Sequence, residues 1–180
     1  GSISGLGNEA ATLSDSSLAA SVLNTLNGHT SGVINASSIN TLTGAAADLN
    51  TAYAANGSGS ISGLGNEAAT LSDSSLAASV LNTLDGHTSG SINASSINTL
   101  TGAAADLNTA YASSGISNLG NEAVTLSDST LAASVLNTLN GNTSGAINAS
   151  SINTLSGSYA DLNTAFTANG SGSITGLGNE

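Results

Sequence analysis

Apolar residues recur at helical spacing in two stretches of the first sixty residues. The stripe of the first stretch consists of Leu18, Ala19, Val22, Leu23 and Leu26. Just before it, Ser14, Asp15 and Ser16 offer side-chain oxygens that could cap the first turn. Gly28 follows the last apolar position and is typical of a helix stop. The pattern predicts a helix capped by Asp15 or Ser14 that ends near Gly28.

The second stretch has the same kind of stripe. Its apolar positions are Ala45, Ala46, Leu49, Ala52 and Tyr53. Thr43 can cap this helix, and Asp48 lies in its first turns, where a negative charge is favourable. We expect the helix to end at Asn56-Gly57.

Two further segments read as short strands. One runs from Gly32 to Ser37, and the other runs from Ile3 to Ser14 with a glycine turn inside it. In the first, Val33 is replaced by Ser91 and Ala146 in later copies, so this position is predicted to face outward. The next position is Ile34, Ile92 or Ile147 in the three copies, so it is predicted to face the core.

The whole pattern is repeated along the chain, and Ile3, Ile61, Ile116 and Ile174 mark the register of the copies. The repeats are 1–58, 59–113 and 114–171, and 172–180 begin a fourth copy, so we expect one continuous array. The interval from Ile61 to Ile116 is three residues shorter than the other two. The missing residues fall after Tyr111 and are predicted to shorten a loop.

Each repeat therefore contains two strand–helix coils of about 29 residues, which is an ordinary length for an α/β solenoid. Neighbouring coils must cover each other's apolar faces, because one repeat alone buries too little to be stable. The alternative is an all-α repeat array with Gly-rich loops in place of strands, since Ala, Leu and Ser also suit helices.

Composition narrows the function. The 180 residues include 11 acidic residues but no Lys, Arg, Cys or Pro, giving a formal net charge of −11. A chain without Lys or Arg cannot neutralise phosphates, which argues against nucleic acid and anionic lipid as partners. No stretch reads as a membrane span, so membrane insertion is not expected. The expected partners are neighbouring repeats of the chain, together with lateral or end-to-end self-association.

The residues GISNLGNEAVTLSDSTLAASVLNTLNG and GAINASSINTLSG resemble tandem arrays in giant secreted or cell-surface proteins of marine cyanobacteria and related bacteria. The resemblance covers the whole chain. It implies an extracellular, adhesin-like or structural role, and it implies no catalytic residue. The Gly-Gly-x-Gly-x-Asp calcium repeat is absent from the chain.

Carboxylates are the strongest candidates for chemistry. One Glu and one Asp recur in each repeat, as Glu9, Asp15, Glu67, Asp73, Glu122 and Asp128. Calcium prefers such oxygen ligands, so one ion per repeat is a hypothesis. The structural alternative is that each Asp caps the helix that follows it and each Glu is solvated. No other cofactor is expected.

The other polar residues favour structural roles. His29 and His87 follow a helix end, but the third copy has Asn142 there, so we interpret both as solvent-facing loop residues. Asn24, Asn40 and Asn50 would stack from coil to coil as amide ladders. Tyr159 replaces an Ala and is interpreted as drift at a partly exposed helix position.

We therefore expect a structural segment of an extracellular filament, surface coat or adhesin stalk, and not an enzyme. The alternative is a calcium-dependent adhesive module. Ice binding by a Thr, Ser and Asn face is a weaker alternative, because Thr does not recur at every second position.

Overall fold

The computed structural model describes residues 5–178, so the predicted strand residue Ile3 lies outside them, as does the end of the fourth copy. Short strands and helices alternate along these residues. The strands are β1 (Ala11–Thr12), β2 (Ser17–Ala19), β3 (Ile34–Asn35), β4 (Thr41–Gly44), β5 (Ile61–Ser62), β6 (Ala68–Leu71), β7 (Ser75–Ala77), β8 (Ile92–Asn93), β9 (Thr99–Gly102), β10 (Ile116–Ser117), β11 (Ala123–Leu126), β12 (Thr130–Ala132), β13 (Ile147–Asn148), β14 (Thr154–Ser156) and β15 (Ile174–Thr175). The helices are α1 (Ala20–Asn27), α2 (Ala46–Ser58), α3 (Ala78–Asp85), α4 (Ala104–Ala112), α5 (Ala133–Asn142) and α6 (Tyr159–Ser171).

The described residues form two compact units. The first contains residues 5–73 and 83–93, and the second contains residues 74–82 and 94–178. In the first unit, β1, β3 and β5 lie side by side in one sheet, and β2, β4, β6 and β8 lie side by side in another. In the second unit, β7, β9, β11, β13 and β15 form one sheet, and β12 and β14 form another.

All of these pairings are parallel. Parallel neighbours need a crossover between them, and here the crossovers contain the helices. The α/β prediction is therefore confirmed, and the all-α alternative is wrong. The strands form because the ladder pairs the backbone of very short segments, such as Ile34–Asn35 with Ile61–Ser62.

The interval between paired strands is shorter than the length of about 29 residues predicted for a coil. Ser17 pairs with Thr41, and Thr41 in turn pairs with Ala68, and both intervals fall below that length. In the second unit, the segment from Ala123 to Thr130 connects the sheet that contains β11 to the sheet that contains β12. Part of each repeat therefore connects two different sheets and does not belong to a crossover between paired strands.

The predicted helix starts are wrong. Leu18 and Ala19 pair with β4, so α1 starts only at Ala20, and its N-cap residue Ala19 makes no side-chain cap. Thr43 likewise lies in β4, and the N-cap of α2 is Ala45. Strand pairing therefore continues through two residues of the predicted stripe of α1 and through the predicted cap residue of α2.

The helix ends agree better with prediction. Gly28 is the C-cap residue of α1, as expected. Helix α2 continues beyond Asn56-Gly57 and ends at Gly59, whose φ of 86° is in the left-handed region that favours glycine.

Burial follows the predicted faces with one exception. Ile34, Ile92 and Ile147 are fully buried, and the residues before them are exposed, as predicted. The stripe of α2 is also buried, at Ala46, Leu49, Ala52 and Tyr53. The exception is Val22, which is 55% exposed on α1, while Ala20 and Leu23 carry the buried face.

The missing three residues shorten a helix as well as a loop. Helix α4 has 9 residues, whereas α2 has 13, and α4 ends at Ser113 instead of at a left-handed glycine. Thr99 nevertheless pairs with Ala123 in the same alignment as Thr41 with Ala68. The deletion therefore removes about one helical turn and leaves the strand pairing intact.

Candidate functional site at the joints between coils

Two equivalent contacts concentrate the polar residues that recur in the repeats. In the first unit, β4 and α2 pack against residues 64–73 and 84–90. In the second unit, β9 and α4 pack against residues 119–128 and 139–145. We call each of these contacts a joint, because each connects the second helix of one repeat to the start of the next repeat.

At each joint an aspartate caps a helix of the preceding repeat. The backbone N–H of Ala46, the first residue of α2, donates to Asp73 Oδ2 at 2.8 Å. The N–H of Ala104, the first residue of α4, donates to Asp128 Oδ2 at 2.8 Å. The carboxylate thus satisfies an unpaired amide at the positive end of the helix dipole. The prediction that each Asp caps the helix following it in sequence is wrong, because a spatial neighbour supplies the amide.

The glutamates of the joints are buried, contrary to the prediction that they are solvated. Glu67 is 2% exposed and Glu122 is 1% exposed. Glu67 accepts hydrogen bonds from the backbone N–H of Gly65, at 2.9 Å to Oε2, and from that of Asn66. Glu122 accepts the N–H of Gly120 at 2.8 Å. Backbone amides therefore take the place of the cations that this chain lacks.

The first copy of this loop remains solvated. Glu9 is exposed, although it accepts the Gly7 N–H at 2.7 Å in the same way. That bond lowers the pKa of Glu9. Glu67 and Glu122 are covered by a tyrosine from the preceding helix, whereas no described residue covers Glu9 in this way.

A tyrosine covers the buried glutamate at each joint. The Tyr111 hydroxyl donates to Glu122 Oε2 at 3.2 Å. Burial raises the pKa of Tyr111 to about 12, and the charge of Glu122 acts in the same direction. Tyr53 lies at the equivalent place beside Glu67, is 4% exposed, and has its pKa raised by burial and by that carboxylate. The sequence pattern predicts Tyr53 only as part of the apolar stripe of α2.

A Thr-Ser-Gly segment holds the loop that carries each glutamate. Thr88 Oγ1 donates to the backbone carbonyl of Glu67 at 2.8 Å, and Thr143 does the same to Glu122 at 2.9 Å. The Gly90 N–H donates to Thr88 Oγ1, and a Cβ at Gly90 would collide with the Glu67 carbonyl.

The role of this Thr-Ser-Gly segment was not predicted. Its signal is a Thr-Ser-Gly that is identical in all three copies, with each Thr 21 residues after its Glu.

The histidine position is exposed, as predicted, in all three copies, and in the second and third its side chain also makes a contact at the joint. His87 Nδ1 lies 3.0 Å from Asn50 Oδ1, and its ring centroid lies 5.7 Å from that of Tyr53. At the equivalent place, Asn142 Nδ2 donates to Asn108 Oδ1 at 2.9 Å. Asn can replace His because both side chains present a nitrogen donor at this reach. His29, in the first copy, is exposed as predicted.

Asparagines on the helices do not form the predicted amide ladders. In the first unit, Asn24 Nδ2 donates to the backbone carbonyl of Asp48 at 3.0 Å. In the second unit, Asn82 and Asn137 donate in the same way to Asp106 and Asp161. Asn40 instead donates to the nearby carbonyl of Ser38. Asn24, Asn82 and Asn137 do recur from coil to coil, as the ladder requires, but their acceptors are backbone carbonyls of the next helix.

The six calcium candidates serve different local structures. Glu67 and Glu122 bind amides of their own loops, and Asp73 and Asp128 bind helix amides. Asp15 is exposed, as is Glu9. Within residues 5–178, no group of three or more His, Asp or Glu residues is placed to hold a metal ion.

Two surface cavities lie beside copies of the glutamate loop. One, of about 370 Å³, is lined by Ser95, Asn118 and Leu119, among others. Asn118 stands where the other copies have glycine, and its φ is 64°. The other, of about 250 Å³, is lined by Leu6, Glu9, Leu26 and His29, among others. The second cavity lies at the loop that carries Glu9. In the second and third copies, the equivalent loops carry Glu67 and Glu122 and are covered by Tyr53 and Tyr111.

Among the described residues, no helix combines the length and apolar character needed to cross a membrane. Comparisons with protein-family models, with curated proteins and with solved structures find no match.

Proposed function

We propose that this chain is a structural tandem-repeat segment of a giant extracellular protein, a filament, surface coat or adhesin stalk. Its strand–helix coils would stack as a solenoid, and its function would be mechanical: to extend the polypeptide and present a polar, acidic surface. No catalytic residue and no cofactor are assigned. The principal partner of each repeat is the neighbouring repeat.

The observation that carries this proposal is the use made of the recurring residues. At the two joints, the recurring Asp side chains and the Thr hydroxyls of Thr-Ser-Gly bond backbone groups of the neighbouring coil, including the carbonyl of each recurring Glu. An array in which the repeated polar residues hold adjacent coils together is suited to bearing load along its stack.

Two features support an extracellular location. The chain has no Lys or Arg and so offers no site to trypsin-like proteases. The resemblance to giant secreted and cell-surface arrays implies the same location. A net charge of −11 without any fixed positive charge would keep the chain soluble.

Limited proteolysis tests this function. A protease that cleaves after Leu or Asn should digest the native chain far more slowly than the denatured chain, because stacked coils expose few flexible segments. Equal rates of digestion would contradict the proposal.

A pair of glycine variants links resistance to the joint itself. Gly145→Ala places a Cβ against the Glu122 carbonyl, so it should make the chain markedly more sensitive. Gly141→Ala, where a Cβ meets nothing within 4 Å, is the matched control and should leave the digestion rate unchanged. Equal sensitivity of the two variants would show that resistance does not depend on the joint.

Calcium-dependent adhesion remains the alternative from a different class. It rests on the six carboxylates named above, and its test is the response of stability to chelation. Ice binding would require thermal hysteresis, whose absence would remove it.

A further inference from the structure

The cavity of about 370 Å³ in the second unit lies where the third copy of the glutamate loop differs from the others. Ser95, Asn118, Leu119, Gly120 and Asn121 line it. The three-residue deletion falls just before this loop, and Asn118 replaces a glycine within it. We call this surface the Leu119 cavity.

Two other copies of the loop bind a carboxamide at the equivalent leucine. Asn56, near the end of α2, contacts Leu64 through both polar atoms of its side chain. Its Oδ1 accepts the Leu64 N–H at 3.1 Å, and its Nδ2 donates to the Leu64 carbonyl at 3.3 Å. Asn169 of α6 binds Leu177 in the same way, at 3.1 and 3.3 Å. In both copies, one primary carboxamide therefore pairs both backbone groups of the leucine.

Leu119 lacks such a partner. It is the equivalent of Leu64, but α4 ends at Ala112 and residues 112–117 contain no asparagine. Among residues 5–178, no hydrogen bond reaches the backbone N–H or carbonyl of Leu119. The shorter repeat therefore leaves a backbone donor and a backbone acceptor unpaired beside a cavity.

Asn118 holds one corner of the cavity open. Its equivalents are Gly63 and Gly176, where a Cβ would lie 2.8 Å from the backbone nitrogen of a serine in the neighbouring turn. A side chain at this position must therefore stand farther from Ser95, which is the equivalent serine. Asparagine is suited to the change because it tolerates the left-handed region, and the φ of Asn118 is 64°. The substitution accounts for a gap between the two turns.

We propose that the Leu119 cavity binds a primary carboxamide, the side chain of an asparagine carried on another peptide, in the arrangement that Asn56 makes with Leu64. The carboxamide oxygen would accept the Leu119 N–H, and its NH₂ group would donate to the Leu119 carbonyl. The proposal rests on this one loop and does not depend on the mechanical function proposed above.

The two backbone groups select the chemistry of the ligand. A carboxylate offers acceptors only, and it would face both the Leu119 carbonyl and a chain of net charge −11. A guanidinium or an ammonium group offers donors only, so the Leu119 N–H would stay without an acceptor. A trans secondary amide has its N–H and C=O on opposite sides. A primary carboxamide carries a donor and an acceptor side by side.

The size of the cavity indicates a peptide as the carrier. A volume of about 370 Å³ is at the small end of ligand pockets, which suits one side chain and the backbone around it. Ser95 and Asn121 add polar side chains to the wall. The two carboxamides that bind this loop elsewhere in the chain are themselves asparagine side chains.

Hydrogen exchange measured by NMR tests the premise. The Leu64 and Leu177 amides donate to asparagine side chains, so they should exchange more slowly than the Leu119 amide. Equal or slower exchange at Leu119 would mean that its backbone is already paired, and it would overturn the proposal.

A peptide titration followed by ¹⁵N–¹H NMR tests binding. The probe is Ala-Asn-Gly-Ser, the sequence of residues 55–58, with an N-acetyl and an N-methylamide cap so that Asn holds its only primary carboxamide. We expect the Leu119 amide resonance to move and to saturate with a Kd of about millimolar, because a probe of this size makes few contacts. The control peptide has Ala in place of Asn and should leave the resonance unmoved. Equal responses to the two peptides, or no response to either, would contradict the assignment.

The chain can also supply the carboxamide from within. Replacing residues 113–115 by Ala-Asn-Gly-Ser-Gly-Ser places an asparagine eight residues before Leu119, which is the spacing of Asn56 and Leu64. This variant should protect the Leu119 amide from exchange and should no longer respond to the peptide. The matched insertion Ala-Ala-Gly-Ser-Gly-Ser should leave the amide unprotected. Equal protection in the two insertions would show that the added turn covers Leu119 without a carboxamide, against the proposal.

A sugar distinguishes this site from a carbohydrate site. N-Acetylglucosamine should leave the Leu119 resonance unmoved, because its acetamido group is a trans secondary amide and cannot reach both backbone groups. A saturable shift with the sugar, and none with the asparagine peptide, would replace the proposed ligand by a carbohydrate. Resistance to proteolysis is measured without any ligand, so failure of this site and failure of the mechanical function are distinguishable.

Discussion

At the scale of single residues, carboxylates at the joints bind backbone N–H groups and not cationic side chains. Every joint contains an aspartate and a buried glutamate, and no Lys or Arg is available to pair with them. Backbone N–H groups supply the partners instead, from a helix start for Asp73 and from a glycine loop for Glu67. Such amides are fixed by the fold and lose no side-chain entropy when they bind a carboxylate.

Removing one aspartate tests this arrangement. Asp73→Ala should destabilise the chain by about 1 kcal/mol, because the Ala46 N–H loses its cap. Asp15→Ala is a matched control, since Asp15 is the exposed equivalent in the first copy, and it should have little effect. Thermal unfolding followed by circular dichroism makes the comparison. Equal losses would instead support capping of the helix that follows each Asp in sequence.

The tyrosines predict an alkaline limit of stability. Burial raises the pKa of Tyr111 to about 12 from an ordinary value of 10.0, so the folded state holds this proton more tightly than the unfolded state. Stability should therefore be unaffected below pH 10 and should fall as pH rises from 10 towards 12. Tyr111→Phe should reduce this fall, which unfolding midpoints measured across the range would show. An unchanged pH profile in the variant would contradict the assignment.

At the scale of elements, helix length is adjustable while strand pairing is not. Helix α4 is shorter than α2 by about one turn, yet β4 pairs with β6 as β9 pairs with β11. In α2 the extra turn brings a further contact, because Asn56 exchanges two hydrogen bonds with the backbone of Leu64, at 3.1 and 3.3 Å. Repeats of both lengths therefore keep the same strand pairing.

Restoring the longer form in the second repeat is the corresponding test. Replacing residues 113–115 by Ala-Asn-Gly-Ser-Gly-Ser, which occupies positions 55–60, should extend α4 by about one turn and leave strand content unchanged. Helix content by circular dichroism should rise slightly, and the melting temperature should not fall. A large drop in melting temperature would mean that the pairing of Thr99 with Ala123 requires the short helix.

At the scale of the whole molecule, the chain is a polyanion whose recurring carboxylates already have partners at the joints. Glu67, Asp73, Glu122 and Asp128 all accept backbone hydrogen bonds. We therefore expect stability to come from contacts between neighbouring strands and helices and not from bound cations.

Chelation distinguishes the two sources of stability. We expect EDTA to leave the melting temperature unchanged and millimolar calcium to raise it no more than an equivalent ionic strength of sodium chloride. A ligand that binds only the folded state raises stability by mass action, so a specific rise with calcium would support the adhesive alternative. In that case Asp15→Asn and Glu9→Gln would locate the site in the solvated first copy.

The repeat, its two helices and the inward isoleucines follow from the sequence alone, because periodic burial leaves a periodic apolar pattern. Ile34 and Leu49 are buried as predicted for this reason. Tertiary structure decided where strand gives way to helix and which residues meet. Leu18 fits a helical stripe, but pairing with Leu42 holds it in a strand, and Asp73 caps a helix from the preceding repeat. The apolar pattern of a sequence indicates which positions are buried. It does not indicate which residues cover them, because those residues come from a distant part of the chain.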